Sequence, residues 1–191
     1  MNMQIDVMVF GGIISILSSV VSFFCQQYWL NWRSNKGEIK IYTKTVYDKV
    51  DKVPWGFYET SSETFFIVPL WIEIQNTKSI KQIVRDVNLG LFLEGRLIKK
   101  TTQINSFIKK GVTEMYGDNG SYSFLIDANE IGRYDLSFIL RKSEIGGKGF
   151  DEVKLMYFDL DDNQHAKTLF KINDAWKETK NSIDEDWRRV F

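Results

Sequence analysis

Between Val7 and Cys25 the chain has no charged side chain, in the order VMVFGGIISILSSVVSFFC. A helix in a soluble core needs one apolar face, whereas a bilayer-spanning helix must be apolar all round, because lipid offers no water to its polar groups. Nineteen residues rise roughly 28 Å, close to the ~30 Å hydrocarbon thickness. The uncharged run continues to Trp32 and stops at Arg33. Tyr28, Trp29 and Trp32 fall where an aromatic belt belongs, with Arg33 and Lys36 beyond it at the membrane interface. Residues 1–32 are therefore predicted to be an N-terminal transmembrane anchor, and membrane lipid its first partner.

The flanks set an orientation. No Lys or Arg precedes the run, and Arg33, Lys36, Lys40 and Lys44 follow it. Basic flanks stay on the cytoplasmic side, so the expectation is a single-pass protein of the cell (inner) membrane, N-terminus outside and domain cytoplasmic. A cleaved signal peptide would carry a positive n-region and a small-residue cleavage site, and the stretch has neither. Cys25 follows bulky Phe23 and Phe24, which does not suit a lipoprotein, and as the one cysteine it forms no intrachain disulfide. Within the run, Gly11, Ser15, Ser18 and Ser22 recur at helical spacing on one seam. Small side chains on one face let membrane helices approach closely, which predicts a homo-oligomer or docking on a membrane protein partner.

After a linker at 33–37, the periodicity changes. Residues 38–46 alternate Ile39, Ile41 and Thr43 against Lys40, Tyr42 and Lys44, a strand pattern. A loop over 47–63 carries Pro54, Gly56, Trp55, Phe57 and Tyr58. Thr64 to Gln75 is the most hydrophobic strand of the soluble part, and Pro69 within it predicts an edge or a bulge. Ile83 to Leu93 and Arg96 to Ile104 read as two strands across a Glu94-Gly95 hairpin. A loop over 105–121 follows, then strands at 122–126, 134–140, 153–159 and 166–172. About eight strands joined by short turns, with no long helix among them, predict an antiparallel β-sandwich over 38–172. Immunoglobulin-like architecture is the first expectation and a closed small barrel the second. The fold class is mainly β.

The tail, 173–191, reads as helical. Ser182-Ile183-Asp184-Glu185 matches a capping box, and Arg188 and Arg189 suit a helix C-terminus. Trp176, Ile183, Trp187 and Val190 lie near one seam, able to pack on the sandwich or on a partner.

Charge divides along the chain. Residues 33–115 hold 14 Lys/Arg against 9 Asp/Glu, and residues 116–191 hold 11 against 15. The first half is thus the one suited to anionic lipid. Basic pairs at Lys99-Lys100 and Lys109-Lys110 bring no nucleic-acid module with them, so nucleic acid is not an expected partner.

No catalytic constellation stands out, and the protein is expected not to be an enzyme. His165 is the one histidine and follows an acidic turn. One His and one Cys leave the usual zinc sites without ligands. Asp159, Asp161 and Asn163 match the first half of a calcium loop, but Gln164 and Phe170 stand where it needs Gly and Glu. Gly146-Gly147-Lys148-Gly149 lacks the phosphate-loop spacing. Neither cofactor nor metal is expected. What remains is an anchored interaction or sensing module that binds a protein or small ligand on its β domain, with Trp55, Phe57 and Trp187 as candidate anchors. An oligomerising, defence- or toxin-like membrane effector, in which the small-residue helices perturb the membrane, is the alternative.

Overall fold

The computed structural model describes residues 3–34, 36–177 and 181–191. Helix α1, Met3–Ser34, is longer than the charge-free run Val7–Cys25, because Met3 to Asp6 precede it and the mixed aromatic and polar stretch Gln26 to Ser34 continues it. Its segment Gly11–Arg33 has a mean hydropathy of 1.4 and is long and apolar enough to cross a membrane. Every side chain from Gly11 to Arg33 is exposed. Arg33 and Ser34 belong to the last turn of the helix rather than to a linker. Asn35 of that linker and positions 178–180 of the tail lie outside the described residues.

The rest is β structure. In chain order the strands are β1 (Ile39–Thr45), β2 (Gly56–Glu59), β3 (Thr64–Asn76), β4 (Gln82–Leu93), β5 (Arg96–Lys100) and β6 (Thr102–Gln103). There follow β7 (Ser106–Lys109), β8 (Val112–Met115), β9 (Phe124–Ile126), β10 (Ile131–Arg141), β11 (Glu152–Phe158), β12 (Gln164–Lys171) and β13 (Arg188–Arg189). One sheet runs β13-β1-β3-β10-β6, with β2 also on β3; another runs β12-β11-β4-β5, with β9 also on β4. β7 and β8 form a separate hairpin. All the pairings are antiparallel.

The two larger sheets share one core. Phe66, Val68, Leu70, Ile72 and Ile74 of β3 are all fully buried, as the period-2 pattern requires. Leu136, Phe138 and Leu140 of β10 join them from the same sheet, and Leu89, Leu91, Val153 and Leu155 from the other. At Asp86 (φ +51°) β4 bulges, so that Val84 and Val87, three apart, both point inward.

Several expectations are corrected. Pro69 does not put β3 at an edge: β3 lies between β1 and β10. In an extended strand a residue's N–H and C=O face the same neighbour. The Pro69 carbonyl accepts from Val46 N (3.2 Å), so its missing donor faces the break where β2, paired to Thr64–Ile67, gives way to β1, paired to Leu70–Asn76. The one ladder bond proline forgoes is the reciprocal bond to Val46, just past the end of β1. The single strand read over 96–104 is two, because the chain changes sheets at Thr101. β5 pairs with β4 and β6 with β10, while the buried Thr101 hydroxyl donates to Asn88 Oδ1 at 2.7 Å. The loops read at 47–63 and 105–121 contain β2 and the β7–β8 hairpin.

The tail helix is also corrected. Residues 181–191 are extended, and β13 pairs with β1 through Tyr42–Arg189 and Thr43–Arg188. Asp184 does not cap a helix. Its carboxylate accepts from the Thr45 N–H (2.8 Å) and hydroxyl (2.9 Å), latching the tail across the open side of β1. A capping box and a side-chain latch draw on the same residue types, and long-range pairing decided between them. The charge division does not survive folding either. β3 and β4 pair with β10 and β11, so both sheets interleave the basic and acidic halves.

Candidate functional site

The residues singled out in the helix share the exposure of the whole segment Gly11–Arg33. Gly11, Ser15, Ser18 and Ser22 are all exposed on α1, and a Cβ built on Gly11 would meet nothing within 4 Å. Beside that seam the Ser19 hydroxyl donates to the Ser15 carbonyl at 2.9 Å. Such back-bonding satisfies a hydroxyl inside its own helix and needs no water. Toward the helix end, Trp29 and Trp32 lie 5.4 Å apart, with Tyr28 exposed beside them. The Lys36 ammonium folds back to 3.6 Å from the Trp32 ring centre, a cation–π contact that keeps the charge just beyond the aromatic band.

The three aromatic anchors do not form one surface. Phe57 is 1% exposed and packs on Phe66 (4.9 Å) and Trp176 (5.2 Å); it is a core residue, and its candidacy as a partner anchor is withdrawn. Trp55 is half-buried, stacks on Phe170 at 4.1 Å, and donates its indole N–H to the Ser182 carbonyl at 3.2 Å. Trp187 stacks on Trp71 at 6.3 Å, beneath the Arg133 guanidinium at 5.0 Å. Both Trp55 and Trp187 therefore hold the tail onto the domain, and only their remaining exposed edges are open to a partner. The tail face expected to pack somewhere packs here, with Val190 buried and Phe191 against Tyr157 (5.0 Å).

What the sequence reading missed is the junction between helix and domain. Gly37 has φ +104°, and a Cβ there would come within 2.4 Å of the Thr77 carbonyl oxygen. Only glycine lets the two backbones approach so closely. Next to it, Glu38 N donates to the Thr77 hydroxyl (2.8 Å), while that hydroxyl (2.9 Å) and Thr77 N (3.1 Å) donate to the Glu38 carbonyl. The Ser79 hydroxyl reaches the carbonyl of Arg33, in the last turn of α1, at 3.4 Å. Buried Asn76 fixes this β3–β4 turn through its side-chain amide, which donates to the carbonyls of Ile80 (2.8 Å) and Asp127 (2.9 Å). These bonds fix the Gly37–Glu38 segment to the β3–β4 turn, and the Ser79–Arg33 contact extends that clamp to the end of the helix. The one signal in the sequence was the Gly37 and Asn76-Thr77 pair, ordinary turn residues until β1 and β3 bring them together in register, Ile39 opposite Asn76.

Beside the clamp is a cavity of about 350 Å³, walled by Gly37–Ile39, the β3–β4 turn, the start of β4 and the β11–β12 turn. His165 enters it, stacked on Tyr157 (4.8 Å) with Nε2 2.7 Å from Asp159 Oδ2. Burial pushes the Tyr157 hydroxyl up to about 12, aided by the Asp159 charge. Burial would also raise Asp159, but hydrogen bonds from His165 and from Asn163 and Asp161 outweigh it and hold that carboxyl at about 2. The Asp159-Asp161-Asn163 pattern thus works as a turn, with the Asp159 carboxylate accepting from the Asp161 and Asn163 amides, each at 2.9 Å. Among the described residues no three His, Cys, Asp or Glu gather closely enough to hold a metal ion. The Gly146–Gly149 segment follows a 3-10 turn at Lys142–Ile145 and carries the chain from β10 in one sheet to β11 in the other.

The sheet β12-β11-β4-β5 ends on β12 and β5. Lys167 and Lys171 lie on β12, and Arg96, Lys99 and Lys100 on β5. Basic side chains on an edge discourage indiscriminate strand pairing. No protein-family model matches the chain, and no curated protein matches it in sequence.

Proposed function

We propose that this chain is a single-pass, membrane-anchored interaction or sensing module without catalytic activity. Its domain would sit at the inner face of the cell membrane. One observation carries the reading: an apolar helix with every side chain from Gly11 to Arg33 exposed leads into a folded domain whose first residues, Gly37 and Glu38, are fixed to the β3–β4 turn. An apolar surface that the chain itself leaves uncovered needs lipid or another helix to cover it. The basic residues Arg33 and Lys36 after the helix favour a cytoplasmic domain. The strand orders β1-β3-β10-β6 and β12-β11-β4-β5 favour the immunoglobulin-like arrangement, in which strands A, B, E and D face G, F, C and C′. A protein partner would meet the domain at the β12 or β5 edge, whose lysines and arginines favour an acidic strand.

The second reading, an oligomerising membrane effector, draws on the Gly11–Ser22 seam together with the clamp. A rotation of the domain would turn the helix with it. The two readings separate on the native mass of the full-length protein purified from its own cells in mild detergent. A stoichiometric second protein supports the interaction module. A defined homo-oligomer that Ser15→Leu and Ser18→Leu break up supports the effector. A bare monomer with nothing bound removes both association ideas.

A further inference from the structure

The cavity beside the clamp contains two charges that the fold does not use. Glu38 is taken up by Arg189 (3.0 Å) and Lys40 (3.7 Å), and Asp159 by His165 and the turn amides. Lys78 and Asp161 line the same cavity, and among the described residues neither is in an ion pair. Among the described residues the one polar contact of the Lys78 ammonium is a hydrogen bond to Gln82 Oε1 at 3.3 Å. A concave site with one free cation and one free carboxylate is complementary to a small zwitterion. The place matters as much as the charge. Gly37, in the cavity wall, is five residues beyond Trp32 of the aromatic belt, at most about 17 Å of extended chain. That keeps the cavity within reach of the phospholipid headgroups, at or just outside their layer, provided the helix crosses the bilayer as proposed above.

We propose that this cavity binds a phosphoethanolamine group, the headgroup of a zwitterionic phospholipid. Its phosphate meets Lys78 and its ammonium donates to Asp161. A phosphodiester carries one negative charge and the amine one positive charge, so the two protein charges and the two ligand charges balance. A phosphoglycerol headgroup offers no cation to Asp161. A choline headgroup has a cation but no N–H donor. Because Gly37 and Glu38 are at once cavity wall and clamp, the ligand would touch the segment that fixes the helix to the domain.

The test uses full-length, tag-free protein in mild detergent, with the ring signals of His165, the chain's one histidine, as reporter. The probes are dihexanoyl phosphatidylethanolamine, free phosphoethanolamine, dihexanoyl phosphatidylglycerol and inorganic phosphate. The expected result is a saturable shift with both ethanolamine probes, and at least about tenfold weaker binding of the other two, the worth of one charge-assisted contact. Lys78→Ala and Asp161→Asn should each weaken binding by a similar factor with the melting temperature unchanged. Tighter binding of the lipid than of the free compound assigns the ligand to the membrane, and the reverse order to a soluble source. Equal binding of phosphatidylglycerol, variants that bind like the wild type, or no saturable shift would overturn the proposal. Carbonate extraction of the same protein from membranes reads the anchor separately, so a failed cavity and a failed anchor give different results.

Discussion

Helix α1 and strand β3 are both long apolar stretches, and folding treats them in opposite ways. The five inward residues of β3, Phe66 to Ile74, are fully buried between the two sheets. In α1 no side chain from Gly11 to Arg33 is covered by the rest of the chain. β3 is the centre of its sheet, with β1 and β2 on one side and β10 on the other. The helix makes its own hydrogen bonds and needs no neighbour for them, so it can leave the domain and meet a different solvent. Apolar sequence alone does not say where a segment goes; backbone hydrogen bonding decides which one can stand apart.

The comparison breaks most readily at matched truncations. Leu70→Ala opens a cavity in the shared core and should cost roughly 2–5 kcal/mol of domain stability. Leu17→Ala, on a side chain 59% exposed, should leave the domain's melting temperature unchanged. Thermal melts of the two variants in detergent check this. A comparable loss at Leu17 would mean that the helix packs on the domain after all.

The clamp is where the two regions meet, and it comes next in size. Gly37→Ala forces a left-handed backbone onto a side chain and drives its Cβ into the Thr77 carbonyl. Strain of this kind costs on the order of 1–3 kcal/mol. Hydrogen exchange at the Glu38 and Thr77 amides, bonded across the clamp, should speed up while amides of β3 and β10 stay protected. Unchanged exchange at Glu38 would show that the junction tolerates a side chain.

These two regions were not equally legible in the sequence. The helix was, because a charge-free run is a local property. So was the strand-rich domain, because period-2 alternation in 38–46 and 64–75 is local too. Placing the strands was not. Pro69 looked like an edge residue because proline lacks a donor, and nothing near it in sequence tells that β2 and β1 leave a break at that point. The tail failed in the same way. Ser182 to Glu185 satisfy the local rules of a helix start, yet Asp184 finds Thr45, 139 positions away. Of the candidate site, the helical spacing of Gly11, Ser15, Ser18 and Ser22 and the cluster of Tyr28, Trp29 and Trp32 could be read directly. The clamp and cavity could not, since their walls come from β1, β4, β11 and β12 together.

The tail shows how this domain covers apolar surface when it can. Trp187 lies over Trp71, and the Asp184 latch holds it there. Asp184→Ala should cost roughly 1–2 kcal/mol, because it leaves the Thr45 amide and hydroxyl without that acceptor. Trp187 fluorescence quenching by iodide should increase. A variant as stable and as protected as the wild type would mean that β13 pairing alone secures the tail.

The smallest expected effect lies beside the helix, at Asp159, and it is a matter of charge. Asp159→Asn keeps an oxygen to accept from the Asp161 and Asn163 amides and removes the carboxylate facing His165. The Asp159 carboxyl is held at about 2, below its ordinary value of 3.8. A depressed carboxyl contributes stability that is present above pH 3.8 and is lost as the pH falls through 2. The gap in melting temperature between wild type and variant should therefore narrow as the pH falls below about 4 and be largely closed by about pH 2. With the pair partly exposed to water, its size should be below about 1 kcal/mol. A gap that persists unchanged at pH 2 would assign the turn's stability to side-chain shape rather than to the carboxylate charge. The Asp159 charge would then play no part in holding the neighbouring clamp, where Glu38 and Thr77 are bonded. In that case the same pH change should leave the protection factor of the Glu38 amide, its exchange rate against that of the unfolded chain at the same pH, unchanged, which the Gly37→Ala measurement already provides the means to test.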